Sequence, residues 1–295
     1  MRAHGLALSV WFGWFAAWNA MAAQTYSDVQ DLIHDLALAH PATTRVFNLG
    51  LSDSEEMIQG VIIGSGPLTS LVVAAHHGNE YGSVEVALGL ARSLAEDPIE
   101  GYRVIIVPVL NTSGYDQRQR EEWAEGNLHD PNRDYPGPCG TAGPYNLRST
   151  HLLAELIERM DVVSLATLHT YWPAVVYPWG ITTEQTSTEY DLTFHNLATV
   201  AATWSQYKVG NSTQVIYPAN GTLEDYAFWK HGIWSLLFEV GHSHSPDGDD
   251  IDEMIRVNVP GIRAMIQEAP TERATNHEFL GTCSNELEAL DLHIE

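Results

Sequence analysis

Residues 68–80 read LTSLVVAAHHGNE, an apolar run that ends in two histidines, a glycine, an asparagine and a glutamate. The run from Leu68 to His76 is nearly continuous and rich in β-branched side chains, which is typical of a strand buried on both faces. The sequence predicts a polar loop over His77–Gly82 and then a helix over Val84–Leu94. This unit places a histidine and a glutamate directly after the carboxyl end of a buried strand.

The same alternation of apolar strands and helices continues along the chain. Two short strands are predicted within 43–64, and further buried strands at Tyr102–Leu110, Val162–Leu168, Ala174–Tyr177 and Gly232–Val240. Helices are predicted at Ser27–Ala39, His151–Met160, Thr188–Tyr207 and Asp252–Glu268, and a long loop at 111–150. This alternation predicts an α/β fold with three layers, in which helices cover both faces of a mixed, mostly parallel twisted sheet. In such sheets ligands bind beyond the carboxyl ends of the strands.

The first 22 residues have the pattern of a cleaved secretory signal. Arg2 is followed by an apolar stretch from Leu6 to Trp18, and Ala20-Met21-Ala22 fits the small-x-small cleavage rule. A membrane anchor is the alternative, but it needs about 18 or more apolar residues and this stretch is shorter. We therefore expect a signal peptide at 1–22, one folded domain at 23–270 and an acidic tail at 271–295. The protein is then secreted or periplasmic.

Charge and composition limit the partners of the chain. Its 295 residues are 44% hydrophobic, and 14 basic against 38 acidic residues give a formal net charge of -24. Such a field repels nucleic acid and anionic membranes, so we expect no nucleic acid and, after signal cleavage, no membrane binding. We expect a monomer. The two cysteines, Cys139 and Cys283, permit one disulfide in an exported protein, but the sequence leaves their pairing open.

A metal site is predicted where two of the buried strands end. His77 and Glu80 lie three residues apart on a turn that enters a helix, so both side chains can face one point. His169 directly follows the strand 162–168 and supplies a third ligand. His76 is the alternative to His77, but adjacent residues of an extended chain point in opposite directions, and only His77 has the spacing to Glu80. Nitrogen and carboxylate ligands of this number are typical of catalytic zinc.

Glu239 is a lone carboxylate within the last buried strand. A carboxylate in such an apolar run is costly unless it has a partner or a chemical role. A general base beside a metal-activated water is such a role. A salt-bridged structural glutamate is the alternative, and Glu239 alone does not decide between the two.

Five motifs in order resemble the zinc carboxypeptidases of the carboxypeptidase A/B type. They are His77-Gly78-Asn79-Glu80, Asn132-Arg133-Asp134-Tyr135-Pro136, His169-Thr170-Tyr171, Ile216-Tyr217 and Phe238-Glu239. The resemblance covers residues 26 to about 268 and implies a sheet of eight strands. Asn79 stands where the digestive enzymes carry an arginine, so the chain is more similar to the regulatory and bacterial branches.

The resemblance also implies a role for each matching residue. One zinc ion is held by His77, Glu80 and His169, and Glu239 is the general base. Asn132 and Arg133 bind the terminal carboxylate of a peptide or protein substrate, and arginine suits this because its planar fork binds a carboxylate bidentately. Tyr217 closes over the bound residue, and Arg120, with Arg118 as the rival, stabilises the oxyanion. Glu224 lies in the pocket for the terminal side chain, which favours Lys or Arg there.

Two other functions are compatible with the same residues. The first is a zinc amidase or deacylase that acts on cell-wall peptides or N-acyl amino acids, since Asn132 and Arg133 suit any terminal carboxylate. The second is a secreted binding protein of the same fold without turnover. Retention of Glu239 argues against the second, because a binding protein has no need of a buried base.

Overall fold

The structure is a computed structural model that describes residues 25–141 and 143–283. The predicted signal peptide at 1–22 and the last part of the acidic tail lie outside the described residues. The helices are α1 (Tyr26–Ala39), α2 (Tyr81–Glu96), α3 (Thr112–Gln117), α4 (Arg148–Arg159), α5 (Asp191–Ala201), α6 (Ser212–Val215), α7 (Leu223–His231) and α8 (Gly248–Glu268). The strands are β1 (Thr44–Leu51), β2 (Met57–Gly64), β3 (Leu68–Ala74), β4 (Tyr102–Val107), β5 (Glu122–Ala124), β6 (Asn127–His129), β7 (Val162–His169), β8 (Ala174–Tyr177), β9 (Lys208–Asn211) and β10 (Trp234–Glu239).

Eight of the strands form one mixed sheet in the order β1-β2-β4-β3-β7-β10-β8-β9. Its centre is parallel, because β4, β3, β7 and β10 pair in the same direction. Antiparallel pairs join β1 to β2, β2 to β4 and β8 to β10. The predicted α/β fold with an eight-stranded, mostly parallel mixed sheet is confirmed. The remaining strands, β5 and β6, form a separate hairpin.

Helices cover both faces of the sheet, as the apolar strands require. Along β4, Val104 and Ile106 belong to the core beneath α1, α2, α5 and α8, whereas Ile105 and Val107 belong to the core beneath α4 and α7. Alternate side chains of one strand therefore enter two separate cores. This double burial explains why the central strands are continuous apolar runs instead of alternating ones.

Several segments differ from the predictions, and β9 and α6 were not predicted at all. The helix predicted over Thr188–Tyr207 is shorter at both ends, since α5 spans Asp191–Ala201, and the backbone N–H of Thr188 donates to the Asp191 carboxylate in the turn before it. The predicted loop at 111–150 contains α3, the β5–β6 hairpin and a 3₁₀ turn over Pro131–Arg133. Helix α7 was not predicted, because its first six residues are all buried and show no apolar stripe.

The beginning of the acidic tail packs on the domain. The backbone N–H of Ala274 donates to the carbonyl of Gly232 at 2.8 Å, and the indole N–H of Trp234 donates to the carbonyl of Glu272 at 2.8 Å. Cys139 and Cys283 form a disulfide, which the sequence had left open. Among the described residues, no helix is both long enough and apolar enough to cross a membrane.

Candidate active site

Three neighbouring parallel strands bring the predicted site residues to one edge of the sheet. Strand β7 lies between β3 and β10, and Ala74 at the end of β3 pairs with Leu168 of β7. On the other side of β7, Glu239 is the register partner of His169. The loop after β3, the end of β7 and the end of β10 therefore meet at the carboxyl ends of the parallel strands, where ligands bind in such sheets.

The ligand atoms of His77, Glu80 and His169 all lie within 4.8 Å of one another, and the three side chains are buried. Nδ1 of His77 is 2.7 Å from one Glu80 carboxylate oxygen, and Nδ1 of His169 is 3.0 Å from the other. Burial raises the pKa of Glu80, but His77 and His169 outweigh burial and leave this pKa far below its ordinary value. Two imidazole nitrogens and one carboxylate, directed at a common point, form the donor set of catalytic zinc. The residues therefore fit the ion.

The loop that carries His77 and Glu80 is held by close backbone packing. Gly78 lies against Gly114, and a Cβ atom at residue 78 would fall 2.0 Å from the Gly114 carbonyl carbon. Within the loop, the backbone N–H of Glu80 donates to the His77 carbonyl, and the Ser83 hydroxyl donates to the Glu80 carbonyl at 2.7 Å. Only glycine fits residue 78, so the two ligands are presented by a loop with little freedom to move.

Asp130 is a site residue that the sequence reasoning missed. One oxygen of its carboxylate is 3.0 Å from Nε2 of His77 and accepts from the backbone N–H of Asn132 at 2.8 Å. The other oxygen accepts two hydrogen bonds from the Arg120 guanidinium at 3.2 and 2.9 Å. Burial raises the pKa of Asp130, but the charges of His77, Arg133 and Arg120 hold it well below its ordinary range. The Asp130 carboxylate therefore orients one metal ligand and one arginine at once.

The structure distinguishes Arg120 from Arg118 by position. The Arg120 guanidinium lies 3.2 Å from Nδ1 of His77 and 3.8 Å from the Glu80 carboxylate. Arg118 adopts a left-handed backbone conformation, and its guanidinium lies over the Tyr81 ring, 4.4 Å from the ring centroid. Arg120 is thus the arginine beside the candidate metal ligands.

A cavity beside the metal ligands contains the remaining predicted residues. His77 and His169 line it together with Asn132, Arg133, Tyr217, Glu224 and Glu239. Oδ1 of Asn132 accepts from the backbone N–H of Leu223 at 2.9 Å, which fixes the orientation of the amide group. The Arg133 guanidinium lies 3.4 Å from the Tyr217 hydroxyl, and Tyr217 itself is 41% exposed at the mouth.

Two carboxylates in this cavity have an unpaired oxygen. Oε2 of Glu239 and Oε2 of Glu224 are buried, and neither has a hydrogen-bond partner among the described residues. Burial raises the pKa of both carboxyls, and Glu80 raises the pKa of Glu239 further. The neighbouring Asp225 differs, because its carboxylate accepts from the backbone N–H of Gly180. An unpaired buried acceptor that lines a cavity is available to a ligand.

The chain belongs to the zinc carboxypeptidase family, whose model matches residues 29–261. It is 24% identical over 271 residues to zinc carboxypeptidase A 1 of Anopheles gambiae, covering 79% of this chain and 61% of that protein. It is 22% identical over 251 residues to carboxypeptidase B of Astacus astacus, covering 70% of this chain and 82% of that protein. The chain spans less than two thirds of the first of these relatives.

Solved structures of other proteins share the fold. Bovine thrombin-activatable fibrinolysis inhibitor, solved in complex with tick carboxypeptidase inhibitor, matches with a TM-score of 0.75 at 15% identity, over 82% of this chain and 96% of that one. The murein-tripeptide amidase of Escherichia coli O157 matches with a TM-score of 0.54 at 15% identity, over 79% of this chain and 97% of that one. At this level of identity, both matches show a shared fold and nothing more.

Proposed function

We propose that this protein is a zinc-dependent carboxypeptidase that hydrolyses the last peptide bond of peptides or proteins and prefers a terminal Lys or Arg. One observation carries the proposal. A single cavity joins the two histidine ligands to an arginine and asparagine suited to a chain terminus and to two buried carboxylates with unpaired oxygens. This arrangement accommodates a terminal carboxylate, a scissile bond and a cationic side chain together.

The residues of the chain divide the chemistry between them. Arg133 and Asn132 bind the terminal carboxylate of the substrate, which orients the last peptide bond and excludes internal bonds. Glu239 accepts a proton from the attacking water and passes it to the leaving amine. Arg120 donates hydrogen bonds to the carbonyl oxygen as that oxygen becomes negative. His77, Glu80 and His169 would hold the zinc ion, which would supply Lewis-acid polarisation and lower the pKa of water.

Glu224 supports the preference for a basic terminal residue. Its carboxylate is buried in the cavity and leaves Oε2 unpaired, so a Lys ammonium or an Arg guanidinium gives it a partner. An apolar terminal side chain leaves this carboxylate without a partner, which costs free energy.

A panel of peptides that differ only in the last residue (Lys, Arg, Leu or Phe) tests the proposal. We expect kcat/KM to be highest for Lys and Arg, and chelation of zinc to abolish release of the terminal residue. Glu239→Gln is expected to lower kcat on every peptide by about 10²–10⁴-fold. Glu224→Gln serves as its matched control: kcat/KM falls about a hundredfold on Lys and Arg peptides, because a buried charge loses its partner, and rises on Leu peptides, because no unpaired carboxylate is left beside the apolar side chain. Wild-type activity in Glu239→Gln would refute the assigned base.

An exported, monomeric protein is the second part of the proposal. The signal-like pattern of residues 1–22 and the Cys139–Cys283 disulfide both suit an oxidising compartment. Amino-terminal sequencing of the protein recovered outside the cytoplasm is expected to begin near Ala23, and light scattering is expected to give one chain per particle. Retention of Met1 in a cytoplasmic fraction would contradict export.

An amidase that acts on cell-wall peptides is the second candidate function. The structural likeness to the murein-tripeptide amidase supports it, since the same fold carries that chemistry. A murein tripeptide assayed beside the C-terminal peptides separates the two functions. Cleavage of the tripeptide alone would favour the amidase, and cleavage of the Lys and Arg peptides alone would favour the carboxypeptidase.

A further inference from the structure

A chain of buried polar groups extends from the metal site into the core behind it. Nδ1 of His169 faces Glu80 and His77, whereas Nε2 points the opposite way and lies 3.2 Å from the Thr167 hydroxyl. The Thr167 hydroxyl is 3.4 Å from Nδ1 of His76.

The chain ends at Tyr135, whose hydroxyl lies 2.9 Å from Nε2 of His76. Thr167, His76 and Tyr135 are each 0% exposed, so water does not replace any of these contacts. None of the three residues belongs to the donor set of the metal or to the substrate cavity.

Binding of the ion fixes the direction of the first hydrogen bond in this chain. A neutral imidazole that binds a metal through Nδ1 carries its proton on Nε2, so Nε2 of His169 must donate. Asn132 is not the acceptor, because its Oδ1 is already engaged by Leu223 and the group 3.5 Å from His169 is the amide nitrogen, a donor. Thr167 accepts.

The remaining two hydrogen bonds are assigned in the same sense, away from the metal site. Once Thr167 accepts from His169, its own hydroxyl proton is free to donate to Nδ1 of His76. His76 then carries its proton on Nε2 and donates to the Tyr135 hydroxyl. The ring of His76 is also stacked on that of His169, with centroids 5.5 Å apart and planes 22° apart.

We propose that Thr167, His76 and Tyr135 form a buried hydrogen-bonded brace that positions His169 for the metal and holds its tautomer. His76 acts through Thr167, and Tyr135 acts through His76. The brace is the counterpart, for His169, of the Asp130 carboxylate that orients His77. The inference rests on His77, Glu80 and His169 holding the ion, and it does not depend on which substrate is cleaved.

Metal affinity, measured by competition with a zinc chelator on the whole protein, tests the brace. Thr167→Val removes the partner of His169 and is expected to raise the zinc Kd about 10–100-fold, as for other orienting partners of ligating histidines. We expect smaller increases for His76→Leu and, smaller still, for Tyr135→Phe. Tyr226→Phe is the matched control, since that hydroxyl also meets a histidine, Nε2 of His231 at 3.1 Å, but is not hydrogen-bonded to the brace, and the substitution keeps the ring that stacks on Tyr135. Thermal unfolding in chelator verifies that each variant folds.

The double variant Thr167→Val/His76→Leu separates the hydrogen-bonded brace from simple ring stacking. If His76 acts through Thr167, the double variant binds zinc as weakly as Thr167→Val alone. If adding His76→Leu to Thr167→Val weakens zinc binding by as much as His76→Leu does alone, the brace is overturned. That result would mean that His76 acts by stacking on His169, which does not require Thr167. Equal Kd values for Tyr135→Phe and Tyr226→Phe would overturn it as well.

The tautomer of His76 provides a test without any variant. Nitrogen NMR of the zinc-loaded wild-type protein is expected to show His76 protonated on Nε2 and His169 protonated on Nε2. A proton on Nδ1 of His76 would refute the proposed direction. If the wild-type protein binds no zinc, the proposed function fails at its first step, which is distinguishable from a brace that fails in a protein with normal zinc binding.

Discussion

Asp130→Asn separates the two tasks of the Asp130 carboxylate. In the wild type, one oxygen meets His77 and the backbone N–H of Asn132, and the other meets the Arg120 guanidinium. Asparagine has the same shape but only one acceptor oxygen. If that oxygen keeps the His77 and Asn132 contacts, the amide N–H₂ group faces the Arg120 guanidinium. Both of these groups are donors, so the two charge-assisted hydrogen bonds of the wild type are lost.

The expected losses in zinc affinity and in rate for Asp130→Asn follow from these contacts. His77 retains a neutral acceptor in place of a carboxylate, so the zinc affinity is expected to fall about tenfold, the lower end of the range for such partners. Arg120 loses its anchor, and a misplaced oxyanion donor costs about 10²-fold in rate, or about 2.7 kcal/mol of transition-state stabilisation. The second loss persists when zinc is saturating, which distinguishes it from the first.

The assay measures kcat/KM on a peptide with a terminal Lys at several zinc concentrations, together with the zinc Kd. Asp134→Asn is the matched control, because Asp134 is a buried carboxylate four residues away that accepts from Asn146, Leu147 and Thr150. Asp134→Asn is expected to lower the stability of the fold but to leave kcat/KM per folded molecule close to wild type. Wild-type kcat/KM for Asp130→Asn at saturating zinc would refute the claim that Asp130 positions Arg120.

Three further perturbations test other parts of the structure. Burial raises the pKa of Glu122 to about 8, so the folded state keeps a proton that the unfolded chain loses near pH 4.5. Denaturant unfolding should therefore show the free energy of unfolding falling as pH rises from about 4.5 to 8. Glu122→Gln should remove this fall and increase the free energy of unfolding at pH 8 by on the order of a few kcal/mol. Cys139→Ser should lower the free energy of unfolding by about 2–5 kcal/mol, to the value of the reduced wild type, and equal stabilities with and without the disulfide would contradict this. Arg120→Lys should lower kcat about 10²–10³-fold while Arg118→Lys has little effect, and the reverse order would exchange their roles.

The sheet was predictable because its central strands are buried on both faces. Nearly continuous apolar runs located β3, β7 and β10 to within two residues at each end, and the β8 prediction, Ala174–Tyr177, matches the structure. The candidate metal ligands followed, since parallel strands place their carboxyl ends at one edge whatever the details of packing. Helix α7 was missed for the complementary reason: its first six residues are all buried, so it has no stripe of apolar residues to reveal it.

The loop residues of the site could not be predicted from spacing alone. Arg118 and Arg120 are two residues apart, and the left-handed backbone of Arg118, with φ of 55°, turns its side chain onto Tyr81 and leaves Arg120 to face the metal ligands. Such a conformation is uncommon for a residue other than glycine, so no sequence pattern indicates it here. Asp130 could not be predicted either, because its contacts depend on how the β5–β6 hairpin and the following turn fold back over His77.

The two histidine ligands are oriented by partners of different charge. Nε2 of His77 meets the Asp130 carboxylate at 3.0 Å, whereas Nε2 of His169 meets the Thr167 hydroxyl at 3.2 Å. A carboxylate partner makes an imidazole a stronger donor to a metal than a neutral hydroxyl does. His77 is therefore held electrostatically through a loop that also controls Arg120, while His169 is held by neutral groups of the core. Loss of the Asp130 charge is therefore expected to weaken both zinc binding and oxyanion stabilisation, whereas loss of the Thr167 hydroxyl is expected to weaken zinc binding alone. This difference is the physical reason to test Asp130 and Thr167 separately.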